Sequence, residues 1–371
     1  MSTGVVETVR LDAGRDLHGW AREELARVSA AASAEGIPGT EARGQLIRPL
    51  AALAGVARHE AVPYGFWEGV LAVQLAHEAS LVHDDIVDAA AVRRGEPTAV
   101  AAGGVARALV QGDHLLTAAY RAAARTGSLA FVTLFARAVE RTVAGEAAQG
   151  RAAGEVLGRD RYEEIALGKA GELLGCALAT AAVLEGRADA GEVFELGRRV
   201  GLLYQMLDDL LDYCPRAGTG KAPLGDYAQR RWTWVLEEVA EVPFGLGAEE
   251  VLDALHRPDS GGSAMRRVLT RLEREGERLR AELGERLPGS VVVETMVAEW
   301  IGRAREAVAR EAAARLLSGS LGLTTHPPLD PPILGERERD VVLPSPSIGG
   351  CLLYTSPSPR DLSTSRMPSS A

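Results

Sequence analysis

The chain has 371 residues, a formal charge of -10, 46% apolar residues and only 5% aromatic ones. An acidic excess of this size excludes a general nucleic-acid binder, whose footprint would be basic. Three cysteines, Cys176, Cys214 and Cys351, without metal-type spacing support neither a disulfide framework nor a zinc site.

In chain order, the N-terminal stretch lacks a basic segment followed by an apolar one, and no stretch reaches the roughly 18 uninterrupted apolar residues of a membrane span. A soluble, cytoplasmic protein without a membrane span is expected. From about Asp16 to Leu317 the apolar residues recur with helical period, and β-branched runs of period two are lacking. The spacing predicts an all-α protein, a single large helical bundle. Its punctuation is short: EGIPG at 35–39, RRGEP at 93–97, CPRAGTG at 214–220 and LPGS at 287–290. Beyond Leu317 the chain turns proline-rich and cannot continue a helix. A helical domain over residues 1–320 and a disordered tail over 321–371 are expected. Residues 351–370 resemble translated sequencing-adapter DNA and are set aside.

The first chemistry lies in LVHDDIVDAAAVRRGEPT, residues 81–98. Asp84 and Asp88 are four apart, so on a helix they share a face about 6 Å apart, with Asp85 beside them. An isolated triple of this kind is often a solvated acidic helix end. Here Leu75, Ala76, Ala79, Leu81, Val82, Ile86 and Val87 surround it, which predicts carboxylates facing a cavity. The spacing recurs in LLYQMLDDLLDYC, residues 202–214, as Asp208, Asp209 and Asp212. Six unpaired buried acids would cost several kcal/mol each in desolvation. Two triples on facing helices of a bundle instead make a site for hard cations, and Mg²⁺ takes a few carboxylates plus substrate phosphates and water. Arg93 and Arg94 then offer planar donor forks to the phosphate oxygens left over.

Paired and in this order, HDDIVDAAAVRRGEPT and YQMLDDLLDY resemble the two aspartate-rich motifs of the trans-isoprenyl diphosphate synthases. GDHLL at 112–116, GEAAQ at 145–149, YEEIALGKAGELLG at 162–175, and Gly220–Lys221 followed by GDYAQRRWTW at 225–234 agree across roughly residues 40–235. The resemblance implies an isoprenoid-synthase bundle and an enzyme that joins an allylic diphosphate to isopentenyl diphosphate, forming a longer trans chain. It implies that Asp84, Asp85, Asp88, Asp208, Asp209 and Asp212 hold Mg²⁺, three ions per site. Arg93, Lys169 and Lys221 would grip the allylic diphosphate, with Gln205 and Arg231 among the substrate-binding residues. Arg48, His77 and Arg94 would form the metal-free site for isopentenyl diphosphate. A homodimer is the usual assembly.

The chain departs from the family's pattern in RGQLIRP, residues 43–49. Gln45 stands where a phosphate-binding Lys is expected and Leu46 where an Arg is, while Arg48 and Pro49 match; Arg43 is a nearby compensating cation. Arg231 stands where the family often has Lys. A neutral amide gives phosphate a weaker hydrogen bond than an ammonium does, which keeps open a relative that condenses two allylic units. A terpene cyclase, whose second metal motif normally mixes residue types, and a non-catalytic partner subunit, which tends to lose metal aspartates, fit less well. Upstream of Asp84, the residues Ser80, Ala79, Ala76 and Ala72 are all small. This predicts a deep pocket for the growing chain and a product of twenty carbons or more, unless these alanines serve close helix packing.

Overall fold

The computed structural model describes residues 17–34, 47–55, 62–93, 95–217, 223–239, 243–258, 260, 262–287 and 291–321. The expected tail, 321–371, lies outside them apart from Leu321, as do Arg43, Gln45, Leu46, Arg94 and Lys221. Twelve α-helices follow in order among the described residues: α1 (Leu17–Ala34), α2 (Ile47–Ala54), α3 (Phe66–Val87), α4 (Ala99–Arg125), α5 (Leu129–Arg151), α6 (Arg159–Ala166), α7 (Glu172–Leu184), α8 (Ala190–Asp212), α9 (Gly225–Ala228), α10 (Ala248–His256), α11 (Ala264–Arg286) and α12 (Val291–Leu321). The all-α bundle expected from the periodicity is what forms.

Its axis is α7, whose residues 172–182 are all buried. A helix apolar all round belongs inside, and α2, α3, α5 and α8 pack against it. Small residues let the neighbours approach. A Cβ on Gly197 would lie 2.6 Å from the Leu174 carbonyl oxygen, and one on Gly201 would lie 2.5 Å from that of Ala170. The run Arg159–Leu184 is apolar enough by composition to cross a membrane, yet 67% of that window is buried inside the bundle. Its hydropathy is that of a core helix.

Two departures from uniform helix bear on the site. The RRGEP stretch forms a two-stranded antiparallel hairpin, β1 (Val92–Arg93) with β2 (Glu96–Pro97), turned at Gly95 with φ +82°. Among the described residues between α8 and α10, only α9 and short 3₁₀ turns at 215–217, 234–238 and 243–245 form. Proline and glycine density stops the α-helix there, and the segment returns over the end of α8.

Candidate active site

Both aspartate triples occupy the C-terminal ends of long helices, α3 and α8. That placement opposes the helix dipole, whose C-terminal end is negative and favours cations. Carboxylates there need compensating partners: cations meet the first triple, and neutral donors meet Asp209 and Asp212 of the second.

Around the first triple, Arg93 on the hairpin donates to Asp85 Oδ1 at 2.7 Å, and Asp85 is buried. Arg231 Nη2 donates to Asp88 Oδ1 at 2.7 Å. Burial raises the Asp84 carboxyl to about 6; Lys169 and Arg93 oppose the rise, while Glu146 and Asp88 add to it. His83 packs in the space left by Gly112, where a Cβ would stand 2.2 Å from its Nε2, and lies 3.5 Å from Asp113.

Around the second triple, Asp209 points into the protein. Its Oδ2 accepts from the Tyr162 hydroxyl at 2.8 Å and its Oδ1 from Gln205 Nε2 at 2.7 Å. Burial holds its carboxyl well above the ordinary range. Asp212 accepts the backbone N–H groups of Gly225 at 3.0 Å and Asp226 at 3.1 Å, which closes the segment after α8 back onto the helix. Burial, with the nearby Asp226 and Asp208, raises its carboxyl to about 7 against those two hydrogen bonds.

Arg231 joins the two clusters. Besides Asp88 it lies 3.7 Å from Asp226 Oδ1, and Asp226 in turn caps Asp212. Burial disfavours its charge, but Asp88 and Asp226 outweigh burial and raise its pKa. Lys169 is presented from a π-helical turn, Leu167–Gly171, between α6 and α7. Such one-residue expansions recur at functional sites. A Cβ on Gly145 would stand 2.6 Å from the Lys169 backbone N, so only glycine admits this crossing. Lys169 Nζ donates to Gln149 Oε1 and approaches Glu146 Oε2, both at 2.8 Å. Burial pushes the ammonium down, but Glu146 and Asp84 more than offset it.

Arg48 is buried at the start of α2, and His77 on α3 is half-buried, its carbonyl accepting from Ser80 Oγ at 2.8 Å. Ala72, Ala76 and Ala79 are buried on α3, which runs along α4. Five residues joined the site without a role foreseen in the sequence: Glu146, Gln149, Tyr162, Asp226 and Trp232. The signal for the first two was the three-residue spacing in GEAAQ, which puts both on one helical face. Asp226 and Tyr162 sat inside the matched stretches but carried no pattern of their own.

The donor set consists of hard carboxylate oxygens beside basic groups able to take phosphate, and this fits Mg²⁺. Among the described residues no three His, Cys, Asp or Glu groups converge into a ready coordination shell. In the Mg²⁺ case the remaining donors are substrate phosphate and water.

A family model described as polyprenyl synthetase matches residues 37–266. The octaprenyl diphosphate synthase of Escherichia coli is 33% identical over 179 residues, 46% of this chain and 54% of that one. The nonaprenyl diphosphate synthase of Mycobacterium tuberculosis is 34% identical over 155 residues, 41% and 46% of the two chains. The matched stretches span about a third to a half of the length of such relatives. In structure the chain is similar to heptaprenyl diphosphate synthase from Staphylococcus aureus, with TM-score 0.66 at 16% identity, covering 76% of this chain and 98% of that one. It is also similar to a geranylgeranyl pyrophosphate synthetase from Geoglobus acetivorans, with TM-score 0.63 at 21% identity over 77% and 99%. These likenesses establish the isoprenoid-synthase bundle.

Proposed function

Because this chain belongs to the polyprenyl synthetase family, we propose that it is a Mg²⁺-dependent trans-prenyltransferase. It adds isopentenyl diphosphate to an allylic diphosphate and releases diphosphate, with a main product of twenty carbons or more. The observation that carries this reading is the chain of contacts from Asp88 through Arg231 to Asp226 and Asp212, which ties the two aspartate motifs to one basic centre.

When bound, Mg²⁺ supplies positive charge to the diphosphate oxygens. Asp84, Asp88, Asp208 and Asp212 are its ligands in this reading; Asp85 and Asp209, each bonded inward, orient the two helix ends. Arg93, Lys169, Lys221 and Arg231 bind the allylic diphosphate and stabilise the charge that grows on it as the C–O bond breaks. Arg231 exchanges its Asp88 partner for phosphate in doing so, while Arg93 keeps Asp85 on its Nε and offers its Nη groups, which suits a planar donor fork. Arg48, His77 and Arg94 hold isopentenyl diphosphate so that its double bond meets the allylic cation while the apolar wall of α3 excludes water. The new C–C bond forms, a proton leaves the adjacent carbon, and the departed diphosphate takes it.

Incubation with labelled isopentenyl diphosphate and each of the five-, ten- and fifteen-carbon allylic diphosphates tests this. Elongated product is expected with Mg²⁺, none with a chelator, and recovery on adding Mg²⁺ back. Product formed from allylic diphosphate alone would point instead to a condensation of two allylic units. Asp84→Ala and Asp208→Ala should each lower kcat by two or more orders of magnitude with the helical circular dichroism unchanged; full activity in either removes the metal assignment.

A further inference from the structure

Behind the second aspartate motif lies a small cleft between α5, α6, α8 and the segment after α9, lined by Gln149, Tyr162, Lys169, Gln205, Asp209 and Trp232. Trp232 is 7% exposed, and its indole Nε1 is buried with no hydrogen-bond partner among the described residues. Its ring is held edge-on by Phe244, with centroids 6.4 Å apart. A buried N–H that meets no acceptor is uncommon in folded proteins. Across the same cleft the acceptors have capacity to spare. Each Asp209 oxygen takes one bond, from Tyr162 or Gln205, where a carboxylate oxygen accepts two. The Tyr162 oxygen donates to Asp209 and can still accept. The cleft lined by these residues has room for about one water-sized oxygen, and the Trp232 N–H with the Asp209 and Tyr162 oxygens would supply the two or more polar partners that a buried water needs.

We propose that Trp232 is a positioning residue of the diphosphate site: its indole N–H donates to a single bound water that donates in turn to Asp209, locking the segment carrying Arg231 to the end of α8. Arg231 is its chain neighbour, and Asp208 is the chain neighbour of Asp209, so one water bridge sets the distance between a phosphate-gripping cation and the second aspartate motif. The consequence is selective. Lys169 borders this cleft and Arg231 adjoins it, and both serve the allylic diphosphate, whereas Arg48 and His77, assigned to isopentenyl diphosphate, do not line it. The kinetic part of this inference rests on the prenyl-transfer reading; the water bridge does not.

Two measurements decide it. A high-resolution crystal structure of the full chain should show an ordered water within about 3.2 Å of Trp232 Nε1 and of an Asp209 carboxylate oxygen; a dry cleft, or a water touching only one of them, overturns the bridge. Trp232→Phe, which keeps an aromatic ring against Phe244 and removes the donor, should raise the KM for the allylic diphosphate about three- to tenfold, the span that one neutral hydrogen bond supplies, with the KM for isopentenyl diphosphate unchanged. Should Trp232→Phe fold poorly, 3-benzothienylalanine at position 232 replaces the N–H by sulfur in the same shape and carries the same expectation. Equal changes in both KM values, or no change in either, overturn the positioning role. Wild-type protein with no turnover of any allylic diphosphate would remove the prenyl-transfer reading and leave the crystallographic result to stand by itself.

Discussion

Arg230 sits at φ +56°, and its carbonyl accepts from Gly154 N–H at 2.7 Å while its guanidinium lies over the Phe244 ring, 5.6 Å from the centroid. The left-handed region crowds Cβ against the backbone and costs a non-glycine residue about 1–2 kcal/mol. Both Arg230→Ala and Arg230→Gly lose the ring contact, so their difference isolates the backbone. Arg230→Gly should be the more stable of the two by about 1 kcal/mol in denaturant melts, the reverse of their order in a helix interior. Equal stability would mean that the segment relaxes when the side chain is cut. His256 titrates at the same scale. Its Nε2 lies 3.1 Å from the Tyr213 carbonyl, and burial lowers its pKa from the ordinary 6.5, aided by Arg315 and opposed by that hydrogen bond, Glu311 and Asp253. Below pH 6.5 the unfolded chain takes up a proton that the folded chain resists, so the unfolded state binds more protons and stability falls as pH falls. His256→Gln should show a smaller drop in Tm between about pH 7.5 and pH 5 than the parent protein; an equal drop would assign the acid sensitivity to other groups.

Helix α3 raises the question of what its small residues are for. Ala72, Ala76 and Ala79 are buried on a helix that runs against α4, so part of their role is close packing. The same face ends at Asp84, one turn beyond Ser80, and in the proposed reading a growing chain whose diphosphate is held at that end would extend back along it. Ala79→Phe separates the two roles. If the alanine borders the tail's path, the product distribution shifts to shorter chains. If it only packs against α4, overpacking lowers the stability by about 1–3 kcal/mol and the distribution stays as it was. We expect the shift, read by chromatography of the dephosphorylated products beside a thermal melt. The π-helical turn at Leu167–Gly171 shows a different logic. Gly145, Gly168 and Gly201 let α5 and α8 close around it, and the expanded turn hands Lys169 to Glu146 and Gln149.

On the outer surface, Val105, Val110 and Tyr120 on α4 and Leu129 and Val143 on α5 are exposed. Exposed large apolar side chains on neighbouring elements are candidates for an association surface, and a symmetric pair of subunits would bury the same residues twice. A homodimer is therefore expected in light scattering at micromolar concentration, with Val110→Glu combined with Val143→Glu shifting it toward monomer. A wild-type monomer under those conditions would show that these residues serve no subunit contact.

The helical class was legible from the sequence, and so was the placement of each aspartate triple at one helix end, because period 3.6 and the four-residue spacing of Asp84 to Asp88 and Asp208 to Asp212 are local properties of the chain. Local patterns also made Lys169 and Arg231 recognisable as members of motifs. Which partner each charge meets was decided only in three dimensions. Asp85 and Asp209 read as equals of their neighbours, yet the helix rotation turns them inward, onto Arg93 in one case and onto Tyr162 and Gln205 in the other. Asp226 and Trp232 gained their places because the chain after α8 turns back, with the Gly225 and Asp226 backbone N–H groups bonded to Asp212, and no periodicity encodes a return path. The π-helical turn likewise sits where Gly145, Gly168 and Gly201 let α5 and α8 approach it more closely than side chains would allow, a contact no local pattern encodes. Spacing along a helix is set by backbone geometry, whereas the meeting of distant charges depends on how whole helices stack.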